Sequence, residues 1–347
     1  MGLADGRPIV LTNVAVFALG GTIASSAEPG GAAVVGLSGA ELLNTVPGVT
    51  AVADVEVFTV AMVPSGDLRL HHLFELRDQI AQAILSGTQG VVVTQGTDTL
   101  EETAYAFELL TSFDEPVVFT AAMRSSDALS ADGPANLMAA VRVAASPDAR
   151  SLGVLVVLND EIHSATDVRK MHTSSTAAFA SPLVGPVGYL TEGRVRVLRM
   201  PVGRITIDVP RDAQDARVAL VTVGFDDDDA LIGAVAELGY DGLVVAAFGG
   251  GHVPSWLVPA IERVAGQLPT VLASRTAGGE VLRHSYGYAG SETDLLARGL
   301  ISAVGLSATK ARILLRLLLV AGVQRDEVAR CFEEAVEPAI GTDRSFP

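Results

Sequence analysis

The sequence predicts an α/β protein with a larger N-terminal domain on a mostly parallel sheet and a smaller C-terminal α/β domain. Three observations carry this. Short β-branched runs alternate with segments whose apolar residues recur every three or four positions, the pattern of repeated strand–helix–strand units with helices on both faces of a sheet. The 347 residues exceed what one compact core usually supports. A polar, proline-bearing stretch, PVGRITIDVPRDAQDA at 201–216, then interrupts the alternation, which resumes beyond it on a smaller scale. The expected organisation is therefore an N-terminal domain over 1–203, a linker over 204–216 and a C-terminal domain over 217–347.

In chain order, residues 14–19, 55–60, 90–94, 116–120 and 153–158 read as buried strands of a flavodoxin-like sheet. Leu70, Leu73, Leu76, Ile80 and Ile84 mark a helix over 67–85, with Asp67 as its N-cap. A second helix over 99–110 opens on Thr99-Leu100-Glu101-Glu102, a capping box. Beyond the linker, strands are expected at 218–223, 242–246 and 270–273, and helices at 229–238, 254–265 and 307–320. The acidic run Asp226–Asp229 sits where the first of these helices starts, so it reads as a complement to the helix dipole rather than a metal cluster.

Composition narrows the function. Hydrophobic residues are 49% and charged residues 18%, with few aromatics, which excludes global disorder and implies a core of Ala, Val and Leu. Lys and Arg number 24 against 40 Asp and Glu, a net charge of −16 that repels phosphate; nucleic acid and anionic membranes are not expected partners. The single cysteine, Cys331, makes no intrachain disulfide, and with no Cys/His array a structural zinc site is unsupported. Cys331 reads as a semi-buried thiol on a C-terminal helix. The first apolar run stops at Gly20-Gly21-Thr22 without an A-x-A-like cleavage site, so it reads as a core strand of a cytoplasmic protein. No apolar stretch reaches the roughly 20 uncharged residues of a bilayer span, since Arg316 interrupts the longest candidate at 314–320.

In parallel α/β sheets, reactive groups collect where strands end at their carboxyl termini. The first strand delivers Thr22 behind Gly20 and Gly21; paired glycines let backbone N–H groups approach a developing oxyanion, and the hydroxyl is a nucleophile if a base takes its proton. The third delivers Thr97 and Asp98 behind Gly96, and a strand-end carboxylate suits a substrate ammonium. Ser65 follows the second strand. Lys170 follows the fifth, and a lysine beside a threonine in a dry cleft can serve as base for that hydroxyl. His163 and His172, which bracket this segment, read as ordinary loop histidines; Gly249-Gly250-Gly251-His252 reads as a strand-to-helix turn, and no nucleotide motif is visible.

Four stretches taken in order resemble the bacterial-type L-asparaginases, including the glutaminase-asparaginases. They are Gly20-Gly21-Thr22-Ile23-Ala24, Gly96-Thr97-Asp98-Thr99 with Leu100 to Tyr105, Ala122-Met123-Arg124 with Ser130 to Pro134, and Asp167-Val168-Arg169-Lys170. The resemblance runs from about Val14 to Val320 and includes Lys310-Ala311-Arg312. It implies a threonine amidohydrolase that splits L-asparagine into L-aspartate and ammonia through an acyl-enzyme, with no metal or organic cofactor. It implies Thr22 as primary nucleophile and Thr97, Asp98 and Lys170 as the second catalytic set. Ser65 matches the residue that binds the substrate α-carboxylate, Asp98 the one that holds its α-amino group, and Glu292 an acidic residue supplied by a neighbouring subunit. The active unit is then a homo-oligomer, a dimer or dimer of dimers.

Two positions depart from that pattern. The loop after Thr22 normally carries a tyrosine that assists it; residues 23–39 contain none, and Ala33 lies near its place. Tyr286 or Tyr288, just before Glu292, is the candidate substitute. Gly66 stands where the family often puts a polar side chain beside the substrate carboxylate, which weakens that grip. Two further readings are an amino-acid sensor on the same scaffold and an ammonia-generating amidotransferase subunit. The retained Thr22, Thr97, Asp98 and Lys170 tell against the first; the charge and the 13 residues before the first strand tell against the second.

Overall fold

A computed structural model describes residues 11–27, 33–201, 204–210, 213–336 and 344–346. It divides into two compact units, one of residues 1–104, 113–180 and 186–201, the other of 105–112, 181–185 and 202–347.

In the first unit, β1 (Thr12–Ala18), β2 (Ala53–Thr59), β3 (Gly90–Thr94), β4 (Val117–Thr120) and β5 (Val154–Leu158) run parallel in the order β2-β1-β3-β4-β5. Strand order reverses between β1 and β3, the switch point at which flavodoxin-like sheets place their clefts. β3, β4 and β5 are buried along their whole length, as strands covered on both faces must be, which is why they read as unbroken apolar runs. Beyond β5 the sheet continues antiparallel through β6 (Glu161–Ser164), β7 (Gly188–Thr191) and β8 (Arg194–Val197). These three were not foreseen. The β5–β6 turn is Asn159-Asp160 and the β7–β8 turn Glu192-Gly193, all with positive φ, the geometry of two-residue hairpins.

Helices α1 (Gly39–Asn44), α2 (Leu70–Leu85), α3 (Leu100–Leu110) and α4 (Gly133–Ala144) follow the sheet strands. α4, also unforeseen, buries Leu137, Ala140, Val141 and Ala144 in one core with Val14, Val16, Val92 and Val118. α2 begins three residues later than expected. Ser65–Asp67 form a 3-10 turn, Leu68 is extended, and Arg69 is the N-cap residue, its N–H taken by His72 Nδ1 at 2.9 Å. Asp67 is therefore not the cap, because the turn and the extended Leu68 separate it from the helix.

In the second unit β9 (Val218–Thr222), β10 (Gly242–Ala247), β11 (Thr270–Ser274) and β12 (Ile301–Ser302) form a parallel sheet in that order. With it go α5 (Ala230–Ala234), α6 (Val258–Ala265), α7 (Glu292–Ala297), α8 (Ala308–Val320) and α9 (Arg325–Val336). α5 is half the expected length; it gives way to turns that end at Gly239 in the left-handed region. Asp227 and Asp228 spend their carboxylates on the N–H groups of Gly224 and Ala230, so the acidic run builds the turn ahead of α5. Part of the expected linker is a strand: Ile205–Ile207 pairs in parallel with Arg344–Phe346, and the alternation in Ile-Thr-Ile buries both isoleucines. Cys331 is fully buried on α9 rather than semi-buried.

Candidate active site

The site is built where the extensions of β1 and β3 run side by side. Leu19 N–H donates to Thr94 O at 2.8 Å, so the ladder continues one residue past β1 before the two loops meet at their glycines. Gly21 has φ 82°, and a Cβ there would stand 2.0 Å from the backbone N of Gly96. No side chain fits, and the contact sets Thr22 and Thr97, the next residues, on adjoining loops. A Cβ on Gly96 would stand 2.9 Å from Ser65 Oγ, so the buried Ser65 closes the same corner.

Thr22 opens a 3-10 turn, Thr22–Ala24, braced on two sides. Ser25 Oγ donates to Gly21 O at 2.9 Å, and Ser126 donates to Ser25 O through its N–H and its hydroxyl, at 2.9 and 2.8 Å. The loop carrying Ser126 is tied by Asp132, which accepts the N–H groups of Met123 and Arg124, both at 2.9 Å. Gly133, next to it, packs on Ile23.

Lys170 completes the set. Its Nζ donates to Thr97 Oγ1 at 2.9 Å and to Asp98 Oδ1 at 2.6 Å. Thr97 is buried, the Lys170 side chain 18% exposed, and Asp98 82% exposed, so the hydroxyl lies at the floor and the carboxylate at the rim. Thr99 donates its hydroxyl to Ser65 O at 2.9 Å, and Thr103 bonds Gln95, tying the start of α3 to both loops. Chemically, a charged ammonium donating to Thr97 becomes, on losing its proton, an acceptor for that hydroxyl or for a water. The exposed carboxylate retains acceptor capacity for a second cation.

Glu292, Tyr286 and Tyr288 gather in the second unit around His252. Glu292 is 0% exposed; its Oε1 accepts the N–H groups of Ser285 and Tyr286 at 2.7 and 2.8 Å, and its Oε2 lies 3.1 Å from His252 Nε2. Burial pushes its pKa up, but the N–H donors of Tyr286 and Ser285, with His252, outweigh it and hold the carboxyl below the ordinary range. The half-exposed rings of Tyr286 and Tyr288 pack on the His252 ring at 4.9 and 5.7 Å. Gly66 is exposed, and a Cβ there would meet nothing. Residues 28–32, within the stretch that lacks the tyrosine, lie outside the described residues, as does the side chain of Ala33. His163 lies buried in β6 rather than in a loop, 3.2 Å from Glu161; His172 accepts the N–H groups of Ser174 and Ser175 in a turn. Sequence reasoning missed Ser25, Ser126 and Glu101 as site neighbours and His252 as the partner of Glu292, because each joins its partner only through the fold.

A family model described as "Asparaginase, N-terminal" matches residues 13–203, and one described as "Glutaminase/Asparaginase C-terminal domain" matches residues 217–332. The chain is 36% identical over 337 residues to a glutaminase-asparaginase of Pseudomonas fluorescens biotype A, covering 93% of this chain and 91% of the relative. It is 33% identical over 338 residues to L-asparaginase 2 of Escherichia coli (strain K12), covering 95% of each. Among solved structures, a probable cytoplasmic L-asparaginase from Campylobacter jejuni superposes with a TM-score of 0.83 at 32% identity, covering 92% of this chain and 99% of that one.

Proposed function

The chain belongs to the asparaginase family, and from that premise we infer that it hydrolyses the side-chain amide of L-asparagine to L-aspartate and ammonia. A side activity on L-glutamine is consistent with its glutaminase-asparaginase relatives. The observation that supports the reading best is the Lys170 ammonium joined to Thr97 and Asp98 on the loop that lies against Gly21-Thr22.

Thr22 Oγ attacks the amide carbon, its proton passes through a base to the departing nitrogen, and the C–N bond breaks to release ammonia and leave a β-aspartyl ester. Water held against the Thr97–Lys170 pair then attacks the ester and returns the Thr22 hydroxyl. Asp98 at the rim takes the substrate ammonium; Ser65 and the neighbouring backbone N–H groups take its α-carboxylate. Tyr286 or Tyr288 supplies the phenol that the loop after Thr22 lacks. The assembly is a homo-oligomer, a dimer or dimer of dimers, in which Glu292, held ionised by its own N–H donors, adds negative charge to a neighbouring subunit's site. Support for the proposed linker at 204–216 is that the two family models match 13–203 and 217–332, and support for a cytoplasmic location is the description of its Campylobacter jejuni neighbour as a probable cytoplasmic L-asparaginase.

Ammonia release from L-asparagine and L-glutamine in separate assays, with and without hydroxylamine, tests the chemistry. The expected outcome is turnover of asparagine, with aspartyl hydroxamate formed from the trapped ester. Turnover without hydroxamate contradicts the acyl-enzyme, and no turnover of either amide contradicts the function.

A further inference from the structure

Lys170 is held by one of the shortest strands among the described residues. It occupies a two-residue strand, Arg169–Lys170, paired antiparallel with Phe179–Ala180. In such a ribbon alternate residues exchange ladder bonds, and the others point their N–H groups away from the partner strand. Met171 N–H donates to Ala178 O at 2.6 Å, which leaves Lys170, one residue earlier, with its N–H turned outward. That N–H meets Glu101 Oε2 at 2.5 Å. Glu101 stands in the first turn of α3, three residues after Asp98, which with Thr97 receives the Lys170 ammonium. One helix start therefore grips Lys170 at both ends, the backbone through Glu101 and the side chain through Thr97 and Asp98.

We propose that Glu101 is a positioning residue for the reaction: its carboxylate clamps the Lys170 backbone to the start of α3 and so holds the ammonium within hydrogen-bond reach of Thr97. The proposal rests on the role assigned above to the Thr97–Lys170 pair. A lysine side chain has four rotatable bonds, so its tip is only as well placed as the backbone that carries it. A displacement of about 1 Å at a catalytic group costs up to about 10²-fold in rate. What the clamp requires of Glu101 is an acceptor oxygen, not a charge. A glutamine, whose amide oxygen accepts the same N–H, preserves the clamp; an alanine abolishes it.

The experiment compares Glu101→Ala and Glu101→Gln with the unmodified protein for asparagine turnover, alongside Lys170→Met. The expected result is a kcat at least about tenfold lower in Glu101→Ala, with KM changed less than kcat, and turnover largely retained in Glu101→Gln. If Glu101→Ala does not fold, Glu101→Met, which fills a similar volume without an acceptor, takes its place. Full turnover in the variant without an acceptor overturns the clamp, and so does a Gln variant that falls as far as the Ala one. If the Glu101 variants behave as expected but Lys170→Met stays fully active, the role of the Thr97–Lys170 pair fails and the clamp fails with it. Loss in Lys170→Met with full activity in Glu101→Ala leaves the reaction assignment standing and refutes the clamp alone.

Discussion

At the residue scale the site depends on side chains that are absent as much as on those present. Gly21 touches the Gly96 backbone in a left-handed conformation, so Gly21→Ala meets both a clash and a backbone penalty of about 1–3 kcal/mol. The loops must part, and the expected outcome is lost turnover together with a lower urea midpoint; a variant active at the normal midpoint contradicts the contact. Lys170→Met removes the partner of Thr97 and Asp98 and should lower kcat by about 10²–10⁴-fold, as loss of a positioned acid–base group does. Glu292 carries a pH prediction. Its folded pKa lies below the ordinary 4.5, so its ionisation stabilises the fold fully above that value, and the contribution is lost as pH falls through the lowered one. Glu292→Gln should therefore lower the melting temperature near neutrality and lessen the decline on acidification below about pH 4.5. Parallel acid profiles for the two proteins would contradict the assigned donors.

At the element scale, the sequence made legible those elements whose pattern is local. The five parallel strands sit within two residues of their expected positions: β3, β4 and β5, buried on both faces, leave unbroken apolar runs, and β2, at the sheet edge, keeps the alternation of a half-exposed strand. Thr22, Ser65, Thr97 and Asp98 were legible as candidates because each follows one of these strands, whereas Lys170 comes after β6 and sits in a two-residue strand of its own. The antiparallel extension β6–β8 was not, since the largely buried β6 and the half-exposed β7 and β8 all carry mixed polarity and their turns rely on Asn159, Asp160 and Glu192 adopting positive φ. α4 was hidden by composition, as alanines interleave its buried leucine and valines without a clean stripe. The Glu101–Lys170, Ser126–Ser25 and His252–Glu292 contacts span 69, 101 and 40 residues and have no local signature. α9 yields a prediction of its own: burial raises the Cys331 thiol to about 11. Native protein at pH 8 should resist alkylation and react only on unfolding; rapid labelling without loss of structure would show the thiol to be exposed.

At the scale of the whole molecule, the switch point of the first sheet determines where chemistry is possible. Two glycine-led threonines leave adjoining strands there, and a lysine from a later ribbon reaches one of them. The family matches cover most of both units, in keeping with an amidohydrolase whose fold serves to bring such loops together. Size measurement by light scattering, with asparagine KM measured for Glu292→Ala, tests the assembly; a monomer with unchanged KM contradicts it. The measurement that bears most directly on the central claim is ammonia release from L-asparagine by the unmodified protein beside Thr22→Ala and Thr97→Ala. The expected result is turnover in the first and loss of most of it in both variants, each still folded by circular dichroism. Turnover that survives both substitutions would contradict the assignment of the two threonines, and its absence from the unmodified protein would contradict the hydrolysis itself.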